Sequence, residues 1–229
     1  MIIFYSTDII ENRIKLRGDE HHHCTKVLRN QAGAQISVTD GKGHMFLSEI
    51  VQTNKLETLC RIIEINTQPL PEPLPSIAIS LLKNPARLEW FVEKAVEIGI
   101  GEIILFQSGR TEKKSVNTER IEKLMIAAMK QSLNLYLPQC TILKCFEDLI
   151  SESHKFTGKY IAWCGTDTIH LQDIRHKNES NILLIGPEGD FTKEETDIAV
   201  HNGFQLVSLG STRLRTETAG VVGLTMMHY

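Results

Sequence analysis

The rhythm of apolar and polar positions changes near residue 70. Before it, apolar residues fall in short alternating runs: Ile36-Ser-Val38, Met45-Phe-Leu-Ser-Glu-Ile-Val51 and Leu56 to Ile65. Turn signals such as Asp40-Gly-Lys-Gly43 separate them. Successive side chains on a strand point to opposite faces, so this alternation predicts a small β-barrel or β-sandwich. The one helical candidate is His21 to Arg29.

After residue 75 the pattern becomes strand, helix, strand, helix. Ile77 to Leu82 reads as a strand. Asn84-Pro85 then supplies a cap and a proline at the first helical position. Leu88, Phe91, Val92, Ala95 and Ile98 recur at helical spacing, and Gly99 ends the helix. Further strands are predicted at Ile103 to Phe106, Thr141 to Lys144, Tyr160 to Trp163, Ile182 to Ile185 and Phe204 to Leu209. Helices are predicted at Glu119 to Leu133, from Lys193 to about Asn202 behind a Thr192/Glu195 capping box, and at Glu217 to His228. Such alternation implies an α/β domain with a mostly parallel sheet covered by helices.

Between the halves lies Pro69-Leu-Pro-Glu-Pro-Leu-Pro75, with four of the chain's seven prolines. Consecutive prolines force extended backbone and remove amide donors, so this stretch predicts a stiff linker over 69–75. It separates a domain at 1–68 from a domain at 76–229, both within usual domain size.

Composition narrows the classes. Apolar residues make up 41% and charged residues 23%, which is ordinary globular usage and excludes a disordered chain. Lys and Arg number 25 against 28 Asp and Glu, a net charge of −3. Residues 1–68 carry eight of each sign, and 69–229 carry 17 against 20. That balance argues against a surface basic all over for indiscriminate nucleic-acid binding, and leaves room for a few placed cations. No apolar run approaches the length of a membrane span, and the N-terminal residues lack a signal-peptide pattern, so a cytoplasmic protein is expected. The five cysteines, Cys24, Cys60, Cys140, Cys145 and Cys164, contain no C-x-x-C pair, which speaks against a disulfide framework or structural zinc. His21-His-His23 would point three ways on a helix, so no metal is expected there either.

Ligands of α/β sheets gather at the carboxyl ends of strands. Two such ends are unusual. Gly186-Pro-Glu-Gly-Asp190 follows one predicted strand, and its glycines allow close backbone approach to a ligand. Gly210-Ser-Thr-Arg-Leu-Arg-Thr-Glu-Thr-Ala219 follows another, carries two arginines and opens a helix, an anion-friendly arrangement. Neither is a nucleotide fingerprint: G-x-x-x-x-G-K-[ST] is absent, and Gly41-Lys-Gly43 runs into a strand rather than a helix. On this pattern alone the two loops also read as ordinary βα turns.

The motifs in order carry more. Gly186-Pro-Glu-Gly189 with Phe191-Thr-x-x-Glu195, then Leu209-Gly210 and Leu214-Arg-Thr-Glu-Thr-Ala219, resemble the ribosomal RNA small subunit methyltransferase E family of the SPOUT class. His23-Cys-Thr-Lys-Val-Leu-Arg29 and Asp40-Gly-Lys-Gly43 resemble its N-terminal PUA-like barrel. Lys83, Glu93-Lys94 with Glu97-Ile-Gly99, Arg110, and Gln131-Ser132 with Pro138 extend the resemblance along the second domain, so that it covers almost the whole chain.

This resemblance implies a deep trefoil knot in the C-terminal domain, a homodimer, and S-adenosylmethionine as cofactor. It implies methylation of N3 of a uridine in 16S rRNA, with the small ribosomal subunit as partner and no metal. Cofactor contacts are expected at Gly186, Glu188, Gly189, Leu209, Gly210, Leu214 and Thr218. Arg215 would stabilise the uridine anion or grip a phosphate, and Glu217 would act as base or only steady a helix N-terminus. RNA contacts are expected at Arg13, Arg17, His23, Lys26 and Arg29. The chain departs from the family pattern at Thr212, where many relatives have arginine, at Asp190, where many have glycine, and at Asn134, where many have arginine. Rival readings are a non-catalytic RNA-binding or ribosome-assembly protein, a SPOUT methyltransferase with another RNA target, and an enzyme acting on small phosphorylated molecules. The last would need a nucleophile or metal constellation, which the sequence does not display.

Overall fold

Alternating residues build the first sheet. In β3 (Arg13–Arg17), Ile14 and Leu16 are buried while Arg13 and Arg17 face solvent. Around it run β1 (Ile3–Tyr5), β2 (Ile9–Ile10), β4 (Gln35–Thr39), β5 (His44–Thr53) and β6 (Glu57–Thr67). The order is β1-β4-β5-β6-β3-β2; β1 pairs parallel with β4 and all other pairs are antiparallel. The predicted helix at His21 to Arg29 begins and ends earlier: α1 (Gly18–His22) runs into one wide turn of π type over His23–Val27. Phe4, Ile14, Leu16, Cys24, Val38, Ile50 and Cys60 form the core under this sheet.

The structure is a computed structural model that describes residues 1–70, 73–112, 115–176 and 179–228. Pro71 and Glu72 of the proline stretch lie outside the described residues. Contacts divide the chain into two units, Met1–Leu70 with Ile126–Leu137, and Pro71–Met125 with Pro138–Tyr229. The grouping of 126–137 with the first sheet does not follow from the linear pattern. It is fixed by contact at the β4–β5 turn, where Lys42 bridges Tyr136. Gly43 has φ +91°, and a β-carbon there would meet the Tyr136 hydroxyl at 2.2 Å, so only glycine fits. Lys130 forms an ion pair with Glu20 in the same unit.

The second unit carries β7 (Ser76–Ser80), α2 (Pro85–Ile98), β8 (Glu102–Phe106), α3 (Thr118–Gln131, whose later residues group with the first unit), β9 (Gln139–Ile142), α4 (Phe146–Glu152), β10 (Gly158–Ala162), β11 (Ile169–His170), α5 (Leu171–Ile174), β12 (Asn181–Ile185), α6 (Lys193–His201), β13 (Gln205–Ser208) and α7 (Thr216–His228). The sheet order is β11-β13-β10-β12-β7-β8-β9, and every pair is parallel, as the alternation of elements predicts. β7, β8 and β12 are buried along their whole length, the usual state of parallel strands covered on both faces.

Local chemistry sets the helix ends. The Asn84 side chain accepts the Ala86 amide, and Gly99 closes α2 at φ +101°. On one side of the sheet Phe106, Phe146 and Phe191 pack ring against ring. On α7, apolar along its middle, two glycines make the close contacts. A β-carbon on Gly220 would lie 2.6 Å from the Phe91 ring of α2, and one on Gly223 would lie 2.3 Å from Leu183 of β12. Helix α7 therefore packs tightly on the central strands β7 and β12 and on α2.

Candidate functional site

A cavity of about 760 Å³ lies at the carboxyl ends of β10, β12 and β13. Three stretches and Arg87 of α2 line it: the stretches are residues 162–165 with Thr168, the loop after β12, and the loop after β13 running into α7. Its size suits a nucleoside-sized ligand.

The loop after β12 is held from below. Gly186 sits close under Phe191, where a β-carbon would approach the ring to 3.1 Å and force it to shift slightly. Arg110 donates from Nη1 to the carbonyls of Gly189 at 2.7 Å and Phe191 at 3.2 Å. Asp190 has φ +63°, and its carboxylate accepts the amides of Phe191 and Cys164. Behind the loop, Thr192 and Glu195 form the predicted capping box of α6, and Glu195 also accepts the Gly109 amide at 2.8 Å. The buried Glu195 carboxylate thus serves two backbone donors from two segments.

The loop after β13 is more open. Gly210 has φ +133° and nothing within 4 Å of where a β-carbon would stand. Leu209 and Leu214 are half-buried cavity walls, and Arg213 and Arg215 are exposed. Glu188 and Asp190 bring negative charge to the same cavity, so both signs are present. Cys164 also lines it; burial, followed by the nearby Asp190 carboxylate, raises its thiol pKa above the ordinary value.

Of the residues singled out in the sequence, Gly186, Glu188, Leu209, Gly210, Leu214 and Arg215 line the cavity. Gly189 stands one step back as the acceptor for Arg110, and Thr218 is half-buried in the first turn of α7. Glu217 is also off the wall. It is 8% exposed, one oxygen lies 3.6 Å from Arg87 Nε, and the other has no hydrogen-bond partner. Arg87, in the first turn of α2, lines the cavity and escaped the sequence reading, because a polar residue in a helix's first turn carries no signal of its own.

The other candidates sit in the first unit. Arg13, Lys26 and Arg29 are exposed. Arg17 is exposed but paired with Asp8 at 3.0 Å and Glu57 at 2.9 Å. The three histidines diverge: His21 is buried against the Thr58 hydroxyl at 2.8 Å, His22 faces solvent, and His23 packs tilted on Phe4. Among the described residues, no three His, Cys, Asp or Glu side chains come together as a metal site, and no helix is long and apolar enough to cross a membrane.

Comparison with known proteins adds to this geometry. The pattern of an RNA methyltransferase domain matches residues 70–228, and that of an RNA methyltransferase PUA domain matches residues 16–63. A crystal structure described as a probable rRNA-methyltransferase from Porphyromonas gingivalis is 35% identical, covers 100% of this chain and 97% of its own, and has a TM-score of 0.92. A ribosomal RNA small subunit methyltransferase E from Neisseria gonorrhoeae, solved bound to S-adenosyl methionine, is 26% identical with a TM-score of 0.88, covering 99% of this chain and 96% of its own. The protein of the same name from Bacillus subtilis is 26% identical over 227 residues, 93% of this chain and 89% of its own length.

Proposed function

The chain belongs to the RNA methyltransferase family, and from that premise we propose that it uses S-adenosylmethionine to methylate N3 of a specific uridine in 16S rRNA of the small ribosomal subunit. The observation that carries this reading is the glycine-flanked cavity at the carboxyl ends of β10, β12 and β13, within the stretch that matches the family.

The residues present fit the cofactor. Gly186 and Gly210 leave backbone accessible to an adenosine, Leu209 and Leu214 offer apolar wall, and charges of both signs suit a ligand with a cationic centre and a zwitterionic end. When bound, S-adenosylmethionine supplies an electrophilic methyl group; the chain supplies position and charge. Gly186, Glu188, Gly189, Leu209, Gly210, Leu214 and Thr218 form its cradle in this reading. Uridine N3 carries a proton that must leave before its lone pair can react. Arg215, exposed at the cavity, is the cation that stabilises the resulting imide anion. Glu217, buried and turned to Arg87, acts from behind the wall and is not the proton acceptor.

In the same reading residues 1–68 form a PUA-like barrel that grips RNA through Arg13, His23, Lys26 and Arg29. Arg17 contributes less, since Asp8 and Glu57 already neutralise it. Residues 69–75 link it to a SPOUT domain at 76–229 with a trefoil knot. The central seat of α7 on β7 and β12, rather than beside its sequence neighbour β13, supports the knot. The enzyme works as a homodimer in the cytoplasm.

Mass mapping of 16S rRNA tests the function. A strain lacking the gene is expected to lose one N3-methyluridine, and restoring the gene to return it. Unchanged uridine-N3 marks in the deletion strain overturn the reading. In the restored strain, Arg215→Ala is expected to leave that uridine unmethylated while the protein stays folded.

A further inference from the structure

We propose that Arg87 grips the carboxylate at the α-amino-acid end of the bound cofactor, with Glu217 behind it as a positioning residue. The inference rests on the cofactor reading above and assigns one end of that ligand to one wall of the cavity.

Three observations point there. The Arg87 side chain is 36% exposed, lines the cavity, and presents Nε to Glu217 Oε1 at 3.6 Å. A guanidinium carries five N–H donors in a planar fork, and contact through Nε leaves the Nη donors for another planar acceptor. Among the described residues nothing accepts from those Nη donors. Second, Glu217 is nearly fully buried, and its Oε2 has no partner. Isolating a carboxylate from water is costly without a counter-charge, so the pair is retained only with Arg87 held beside it. The buried anion thereby fixes the guanidinium in the cavity wall before any ligand arrives. Third, α2 and α7, both more than three turns long, begin beside this pair, and their N-terminal ends favour an added negative group.

The choice of a small-molecule carboxylate over an RNA phosphate follows from depth. Arg213 and Arg215 are exposed and available to a polyanion, whereas Arg87 is partly buried in the wall of a space that admits a nucleoside-sized ligand. A rigid bidentate fork is also a better match to a carboxylate than a lysine ammonium would be.

Calorimetric titration tests the assignment with two ligands that differ at that end. S-adenosylhomocysteine carries the amino acid, and 5′-methylthioadenosine lacks it. The wild-type chain is expected to prefer S-adenosylhomocysteine. Arg87→Ala should shrink that preference by about tenfold or more while binding 5′-methylthioadenosine unchanged. Arg87→Lys should restore only part of it, because the charge returns without the fork. Glu217→Gln should also narrow the preference at constant 5′-methylthioadenosine affinity, an effect a merely structural role would not produce. Thermal unfolding of each variant checks that it is folded, and Arg87→Gln serves if the alanine variant is not. An undiminished preference in Arg87→Ala overturns the proposal, as does an equal loss for both ligands. So does a variant that keeps the preference but loses RNA affinity, which would assign Arg87 to RNA. Failure of the wild-type chain to bind either ligand would instead remove the cofactor reading itself.

Discussion

Asp190 shows how one residue can be read through its backbone. Its φ of +63° is easy for glycine and strained for a residue with a β-carbon. Here the carboxylate compensates by accepting two amides. Asp190→Ala loses those bonds and keeps the strain, whereas Asp190→Gly loses them and relieves it. Urea unfolding is therefore expected to place the alanine variant about 1 kcal/mol below the glycine variant; equal stabilities would contradict this account. Cysteines differ just as sharply by position. Cys60, in the core, has its thiol pushed up to about 12 by burial and should resist alkylation in the folded chain. Cys164 is exposed at the cavity wall, with its thiol pKa raised above the ordinary value by burial and the Asp190 carboxylate. Only the thiolate reacts, so its labelling by iodoacetamide should be slow at neutral pH and climb as the pH rises. S-adenosylhomocysteine should slow that labelling, read by peptide mass spectrometry; an unaltered rate would place Cys164 outside the ligand's footprint.

Among the elements, the helix ends were the most legible. Asn84-Pro85 and Gly99 bound α2, and Thr192 with Glu195 opens α6, because caps are made by neighbours in sequence. Thr192→Ala should cost about 1 kcal/mol of stability. Glu195→Ala should cost about 2–3 kcal/mol, since it abandons both the Thr192 and Gly109 amides at a buried site. Chemical denaturation distinguishes them, and a smaller loss for Glu195→Ala than for Thr192→Ala would refute the two-segment role. Short elements were not legible. β1, β2 and β11 are two or three residues long, too brief to display a period, and exist because partners complete them, as Ile9 and Ile10 do along Ile14 and Arg13. The strand read at Thr141 to Lys144 lies two residues earlier, at Gln139–Ile142, where it pairs with β8. Of the site, the two loops were visible as glycine and charge in the chain. Arg87 was not, because its partner Glu217 comes 130 positions later.

For the whole molecule, near-neutral charge means that any RNA affinity must come from a few cations in place. Lys26→Ala should lower the slope of log affinity against log salt by about 0.7–0.9. Arg17→Ala should change it less, because two carboxylates already offset that charge. Equal effects in RNA titrations across salt concentrations would show that the Asp8 and Glu57 pairing opens when RNA binds. The seating of α7 has a consequence in time. β7 pairs with β12, about a hundred residues further along, and α7 then docks its glycines on both strands and on Phe91. Contacts between distant parts of a chain close slowly. The segment that completes the cavity leads straight into α7, so the cavity is finished only when α7 is docked. In refolding from denaturant, helical signal should recover before cofactor binding, and competence to bind should appear with the slowest phase. The pocket is thus expected to act as a clock on its own folding: a chain that holds its cofactor should already have docked α7.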